Sequence, residues 1–490
     1  MRSICAVVKT DLLMSDAPAI VWFRQDLRLA DNPALTAALA SKRPLILLYI
    51  LDDETPGQWR MGGASRWWLH RSLVALSRDV ASKGGALTLR RGVAEGILAA
   101  LVETSGASAI YWNRCYEPYA IARDKRLKET LRIEVKSFNG ALMHEPWEVK
   151  TKTNEPYKVF TPYWRAAQQL KTRPPAPTPR KLPAAPSIAS DDLESWELLP
   201  KAPNWAKTFE PEWTPGEAGA AAALSVFINQ KLKLYADSRD LLGSYPTSRL
   251  SPHLHFGEIS PIQVRAAIDG AVTHEPNLQR SADKFLSELG WREFSTNLLF
   301  NWPTLPVANW RSQFDAFPWR DDDASLEAWR RGRTGYPVVD AAMRELWVTG
   351  TMHNRARMIA ASFLIKHLLI DWRRGEEWFW DTLLDADLAN NAASWQWVAG
   401  SGADAAPYFR IFNPVTQGER YDADGAYVRR WLPVLAGLPD AWLHRPWEAP
   451  AEVLRDAGLE LGRDYPRPIV DHAAGRARAL AALAEISSGS

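Results

Sequence analysis

Cysteine is all but missing from this chain of 490 residues, which carries only Cys5 and Cys115. A disulfide framework is thereby excluded, and the usage suits a reducing, cytoplasmic setting. No run of about eighteen apolar residues occurs, so neither a spanning helix nor a membrane partner is expected. The opening residues, MRSICAVVKTDLLMS, lack a sustained apolar region and a small-residue cleavage site. Residues 1–16 therefore read as an extension without defined structure rather than a signal peptide, and Met14 is as natural a start as Met1. Charge is nearly balanced: the net value of +2 is too small by itself to demand a nucleic acid. The nine histidines show no spacing with cysteine or carboxylate that makes a ligand set, so no metal site is expected, and His253 and His255 read as structural. No G-x-G-x-x-G follows the first strand-like run. RQDLRLADNPAL (24–35) stands there instead, which excludes an ordinary dinucleotide fingerprint.

Tryptophan, by contrast, is in excess, with 24 residues. A buried indole needs a partner for its N–H, so packing alone is an awkward use of so many. Aromatic stacking, electron transfer or both are implied. Short apolar runs rich in β-formers, AIVWF (19–23), PLILLYI (44–50), ALTLRR (86–91), AIYWN (109–113) and EVKSF (134–138), alternate with helical patterns such as 66–84 and 96–106. That alternation predicts a doubly wound, five-stranded parallel sheet, Rossmann-like, over residues 17–143. Residues 144–216 read as a connector, because TRPPAPTPRKLPAAPS (172–187) is too proline-rich for a helix or central strand; it is expected to lie over the surface. From 217 to 490 the apolar spacing is helical, with segments at 281–300, 338–350, 354–370 and 375–385, so a larger all-α domain is expected.

Four stretches carry chemistry. TSRLSPHLHFGEISP (247–261) gathers Thr247, Ser248 and Ser251 at a helix start, which suits a phosphate or simply caps a loop. Glu288, Trp291 and Arg292 fall on one helix face, where they can bind a planar polar ligand or form an ordinary ion pair. Asn354, Arg357 and Met358 share a face at the mouth of an apolar helix. A buried arginine there needs an anion, which Asp385 or Asp387 can supply, and a structural salt bridge is the alternative. DTLLDADLANNAASWQWVAG (381–400) then joins carboxylates, amides and two indoles, a polar rim with apolar walls for a large heteroaromatic ligand.

These motifs, with VWFRQDLRLADNPAL (21–35), WREF (291–294), TGYPVVDAAMREL (334–346), MHNRARM (352–358) and DTLLDADLANNAASWQW (381–397), occur in the order found in the photolyase/cryptochrome flavoproteins. The chain resembles that family over nearly its whole length, most of all the bacterial enzymes that repair cyclobutane pyrimidine dimers. The resemblance implies an antenna domain, a connector and a helical FAD-binding catalytic domain. It implies that Tyr235, Thr247, Ser248, Leu250 and Ser251 hold the phosphates and ribityl chain of FAD, and that Glu288, Arg292, Asn354, Arg357, Asp385, Asp387 and Asn391 line the rest, with Asn391 near flavin N5. Glu288, Asn354, Met358 and Asn391 would be the catalytic set. Trp291 and Trp397 would wedge the flipped lesion, and Trp395, Trp372 and Trp319 would relay electrons to the flavin. Arg239, Arg355 and Arg410 are the implied contacts to UV-damaged DNA, single- or double-stranded, with solvated surface arginines as the rival reading.

A second chromophore, a folate, a deazaflavin or a flavin nucleotide, is also implied, with Glu117 in WNRCYEPYAIARD (112–124) as its polar contact. Pro306-Val307 stands where some folate-binding members carry Cys-Lys, which puts the usual folate mode in doubt. The main alternative is a cryptochrome photoreceptor. The lesion-pocket residues and the lack of a long polar tail favour a photolyase, acting as a monomer.

Overall fold

A computed structural model of the chain describes residues 17–488 except 185, 245 and 406–408. Cys5 and the expected extension over 1–16 lie outside the described residues. Strands β1 (Ala19–Phe23), β2 (Leu45–Leu51), β3 (Leu87–Arg91), β4 (Ala109–Asn113) and β5 (Glu134–Phe138) form one sheet in the order β3-β2-β1-β4-β5. Every pairing is parallel. The doubly wound sheet expected from the alternation is borne out. The reason is visible in β1, β2 and β4, which are buried at every position because helices cover both faces.

Strand order reverses between β1 and β4, the point where open α/β sheets usually admit a nucleotide. Here the chain fills that crevice itself. Arg24 reaches Asp124 at 2.8 Å, and the Asn113 amide donates to Asp26 at 2.6 Å and to Asn32 at 2.8 Å. The absent glycine fingerprint thus has a structural counterpart. Arg28, fully buried, donates to the carbonyls of Gly140 and Gly257 and so ties the sheet to the helical part. Gly257 adopts φ +64°, and a Cβ there would lie 2.1 Å from the Gln25 carbonyl, so no larger residue fits the seam.

The described residues of the proline-rich stretch have no regular structure, as expected, but the connector does not simply lie over the surface. Leu182, Trp196, Leu198, Phe209 and Trp213 are buried in the core beside β1 and β2, and 160–167 forms a helix, Phe160–Ala167. Proline excludes regular backbone there, but its apolar neighbours still remove their surface from water.

The helical part contains Gln279–Asn301, Pro337–Thr349, Asn354–Ser362, Trp372–Thr382, Leu388–Ala399 and a last helix, His472–Ser488. The helix expected to run over 354–370 instead stops at Ser362 and continues as a wider π turn, Phe363–His367. With every residue from 359 to 370 buried, no wet face registers a helical period, and apolar content alone overstates the length. Among the described residues, no helix is long and apolar enough to cross a membrane.

Candidate FAD and lesion site

Two packed helices, Gln279–Asn301 and Leu388–Ala399, carry Glu288, Trp291, Arg292, Asn391, Trp395 and Trp397. Asp387 caps the second by accepting from the Asn390 N–H at 2.8 Å. In the first turn, Asn391 spends Nδ2 on the Glu376 carbonyl at 3.0 Å, which turns Oδ1 away from that carbonyl. One turn on, Trp395 is buried edge-to-face against Phe379, with ring centres 4.9 Å apart.

Arg357 finds the anion its position demands. Nη2 lies 3.0 and 2.9 Å from the two Asp385 oxygens, while Nε donates to the Met352 carbonyl at 2.8 Å. Burial pushes the Asp385 carboxyl up, but Arg357 and a Ser251 hydroxyl outweigh it and hold the group below its ordinary value. Asp385 is therefore charged, and so is the rim it forms with Arg357. His255 stands 4.0 Å from Asp387, and burial keeps its imidazole neutral by pushing its pKa down. His253 is structural as expected, 2.5 Å from buried Glu258. The helix bearing Asn354, Arg357 and Met358 is itself anchored: the His353 N–H donates to Glu345, which also accepts from the Tyr427 hydroxyl.

Tyr235, on the helix Leu232–Ser238, and Leu250 are buried, while Thr247, Ser248 and Ser251 keep accessible surface. The Ser248 hydroxyl accepts from the Leu250 N–H at 3.3 Å, and Arg249, at φ +57°, turns its guanidinium away onto the Trp213 ring and Glu212. The Ser251 hydroxyl is spent on Asp385, which leaves Thr247 and Ser248 as the partly exposed hydroxyls of the 247–251 loop.

Glu288 does not pair with Arg292. It is bonded by Arg239, and Arg292 instead donates to the Ala141 carbonyl at 2.8 Å. Arg355 is held by Asp240 at 2.9 Å and lies over the Tyr421 ring. Arg239 and Arg355 are thus tied into an ionic network, not solvated. Arg410 is exposed, 5.9 Å over the Trp397 ring. Trp372 is fully buried in the same core as Trp395, its indole N–H donating to Asn309 at 3.0 Å, and partly buried Trp319 packs against that core.

Three features were not anticipated from the sequence. Buried Glu376 orients Asn391, yet one of its carboxyl oxygens has no partner. Glu345 anchors the Arg357 helix. A cavity of about 540 Å³ opens between the sheet domain and the helix Trp372–Thr382, lined by Arg60, Arg66, Arg91, Trp196, Trp380 and Asp381 among others. The available signal for the cavity was the basic and aromatic run around WRMGGASR (59–66), but its other wall is more than 300 residues away in sequence. Glu117 does not line this cavity. It is buried elsewhere, bonded by Gln25 at 2.8 Å and pushed up first by burial and further by the Asp387 carboxylate.

The helical part thus gathers an anion–guanidinium pair, Arg357–Asp385, an oriented amide on Asn391 and a serine bonded to that anion. A family model described as the FAD binding domain of DNA photolyase matches residues 285–485, and one described as DNA photolyase matches 19–182. The deoxyribodipyrimidine photo-lyase of Agrobacterium fabrum is 53% identical over 479 residues, covering 96% of this chain and 99% of that protein. The chain belongs to the DNA photolyase/cryptochrome family. Cryptochrome-1 of Arabidopsis thaliana is 41% identical, covering 96% of this chain and 70% of its own length. A solved class III photolyase from Agrobacterium tumefaciens superimposes with a TM-score of 0.92 at 52% identity, covering 99% of this chain and 100% of its own. As a photolyase-family protein, the chain carries an FAD-binding domain, and the features above fit the cofactor. The His255 Nδ1 is a buried polar atom without a partner at the rim beside Asp385 and Asp387.

Proposed function

We propose that this protein repairs cyclobutane pyrimidine dimers in UV-damaged DNA, using light. The observation that carries the reading is the pairing of the two helices. Gln279–Asn301 offers Glu288 and a partly exposed Trp291, while Leu388–Ala399 sets Asn391 and buried Trp395 behind a partly exposed Trp397. A lesion wall and a flavin wall therefore adjoin.

When bound, FAD would supply light-driven one-electron chemistry that splits the dimer with no net redox change. The protein does the rest. Thr247, Ser248, Ser251, Tyr235 and Leu250 would hold the phosphates and ribityl chain, and the Arg357–Asp385 pair with Arg292 and Asp387 would fix the ring system. Asn391, held by Glu376, would present its carbonyl to flavin N5. A dimer stacks poorly, so flipping it out costs less than flipping intact bases. Trp291 and Trp397 would receive it, Asn354 and Met358 would floor the pocket, and Glu288 would leave Arg239 to bond the pyrimidine edge. Arg410 would meet a phosphate directly, whereas Arg239 and Arg355 would first exchange Glu288 and Asp240 for one. Trp395, Trp372 and Trp319 would carry electrons inward from the surface.

A second chromophore would occupy the 540 Å³ cavity, a size usual for such ligands, with Trp196 and Trp380 as walls and three arginines for its anionic groups. Whether it is a folate, a deazaflavin or a flavin nucleotide, Arg91→Ala should lose it while keeping FAD. Unchanged content of the second chromophore would remove this assignment.

The deciding experiment for the reaction is light-dependent return of thymines from a dimer in a short single strand, with a dark control. An FAD-loaded protein that repairs nothing would be a cryptochrome-type photoreceptor instead.

A further inference from the structure

We propose that Phe160 is a positioning residue for lesion recognition, fixing the plane in which Trp291 meets a flipped dimer; this rests on the repair reading above. The two rings stack face to face, 3.7 Å between centres and 9° from parallel. Among the ring pairs formed by the described residues, this is the tightest parallel contact. Phe160 lies in none of the motifs that mark the flavin site; it belongs to the helix Phe160–Ala167 of the connector, which packs against Gln279–Asn301.

The stack has a fixed back. Trp164, one turn on from Phe160, lies 9° from parallel to it with centres 6.5 Å apart. Trp164 in turn presses against Gly290, where a Cβ would lie 2.5 Å from the indole, so the residue preceding Trp291 has to be glycine for the stack to close. The Phe160 N–H points at Asp404 Oδ2, 3.4 Å away. Phe160 is only 8% exposed. A ring stacked on Trp291, with Trp164 alongside and its backbone N–H on Asp404, is not a plug that a base displaces. The dimer is left the opposite face of Trp291, which remains partly exposed.

Among the described residues, the remaining ring neighbour of Trp291 is Phe294, edge-on at 5.9 Å and 76°. An edge contact limits where the indole sits but does not set its tilt, so the tilt falls to Phe160. An indole whose tilt is already set loses less rotamer freedom when the lesion arrives, and that saving appears as affinity. Trp397, the facing wall, makes no ring stack of this kind among the described residues; the Arg410 guanidinium lies over it. The two walls therefore differ, one backed by a stacked ring and one by an exposed arginine side chain.

The test is binding and turnover of the FAD-loaded protein with Phe160→Leu, which keeps apolar bulk but removes the flat face, and with Phe160→Tyr, which keeps the face. Dark affinity for a dimer-containing single strand should fall about two- to tenfold in Phe160→Leu, the worth of one aromatic pair beyond its area. Affinity for the undamaged strand, FAD absorbance and repair yield per bound dimer should stay at wild-type values, and Phe160→Tyr should restore dimer affinity. Phe160→Leu that binds the dimer as wild type does, or that loses undamaged DNA and FAD equally, overturns the proposal. A wild-type protein with no preference for the dimer overturns the repair reading first and the Phe160 assignment with it.

Discussion

Replacing Arg357 by alanine removes the one guanidinium facing Asp385, whose side chain is 7% exposed against 26% for Arg357. Taking one partner from a buried ion pair costs about 3–5 kcal/mol, because the other charge is left desolvated. Partial exposure of Arg357 argues for the lower end, about 3 kcal/mol. With an unfolding entropy of about 2.1 cal/mol/K per residue over a helical part of roughly 270 residues, that is about 5 °C in melting temperature. The pH dependence gives the sharper signature. In the wild type the folded pKa of Asp385 lies below its ordinary 3.8, so its stabilisation is complete above 3.8 and is lost as pH falls through the depressed value. In Arg357→Ala burial prevails, the folded pKa moves above 3.8, and the penalty fades as pH falls toward that raised value. The gap between the two proteins should therefore narrow from pH 7.5 to pH 5. Helix melting followed by circular dichroism on the FAD-loaded proteins measures it, and Arg357→Ala/Asp385→Asn should recover part of the loss. A melting point within about 1 °C of wild type at pH 7.5, or a gap indifferent to pH, would refute the reasoning.

Two further outcomes are expected. Trp372→Phe should sharply slow light-driven reduction of oxidised FAD, followed by its absorbance, while chemically reduced enzyme repairs dimers at the wild-type rate; equal photoreduction would take Trp372 out of the electron path. Glu293, fully buried and accepting from the Met143 and His144 N–H groups, is pushed up to about 7 from 4.5, first by burial. For an acid with a raised folded pKa, folding stability falls as pH rises between the two values. Wild type should therefore lose about 3 kcal/mol relative to Glu293→Gln across pH 4.5–7 and nothing beyond, as read by urea denaturation.

How much of this was readable in advance varied with the kind of interaction. The central strands announced themselves, since runs buried on both faces are apolar end to end: AIVWF at 19–23 is β1 residue for residue. The Arg357 anion was narrowed to two aspartates by charge balance alone, but only the fold chose Asp385 and left Asp387 to cap a helix. The helix expected to reach residue 370 stopped at 362, because burial on all sides erases periodicity.

The sequence by itself determined the sheet class, the helical second part and the family, since those rest on local pattern and ordered motifs. Tertiary structure alone decided which groups are spent on one another. Glu288 and Arg292 share a helix face but take partners from other elements, Arg239 and Ala141. Trp196 and Trp213 of the connector entered a core, and Phe160 came to lie on Trp291 from 131 positions away in sequence. Backbone periodicity is a local property and can be read along a chain. Pairing across a fold depends on where distant segments converge, and no local pattern carries that information.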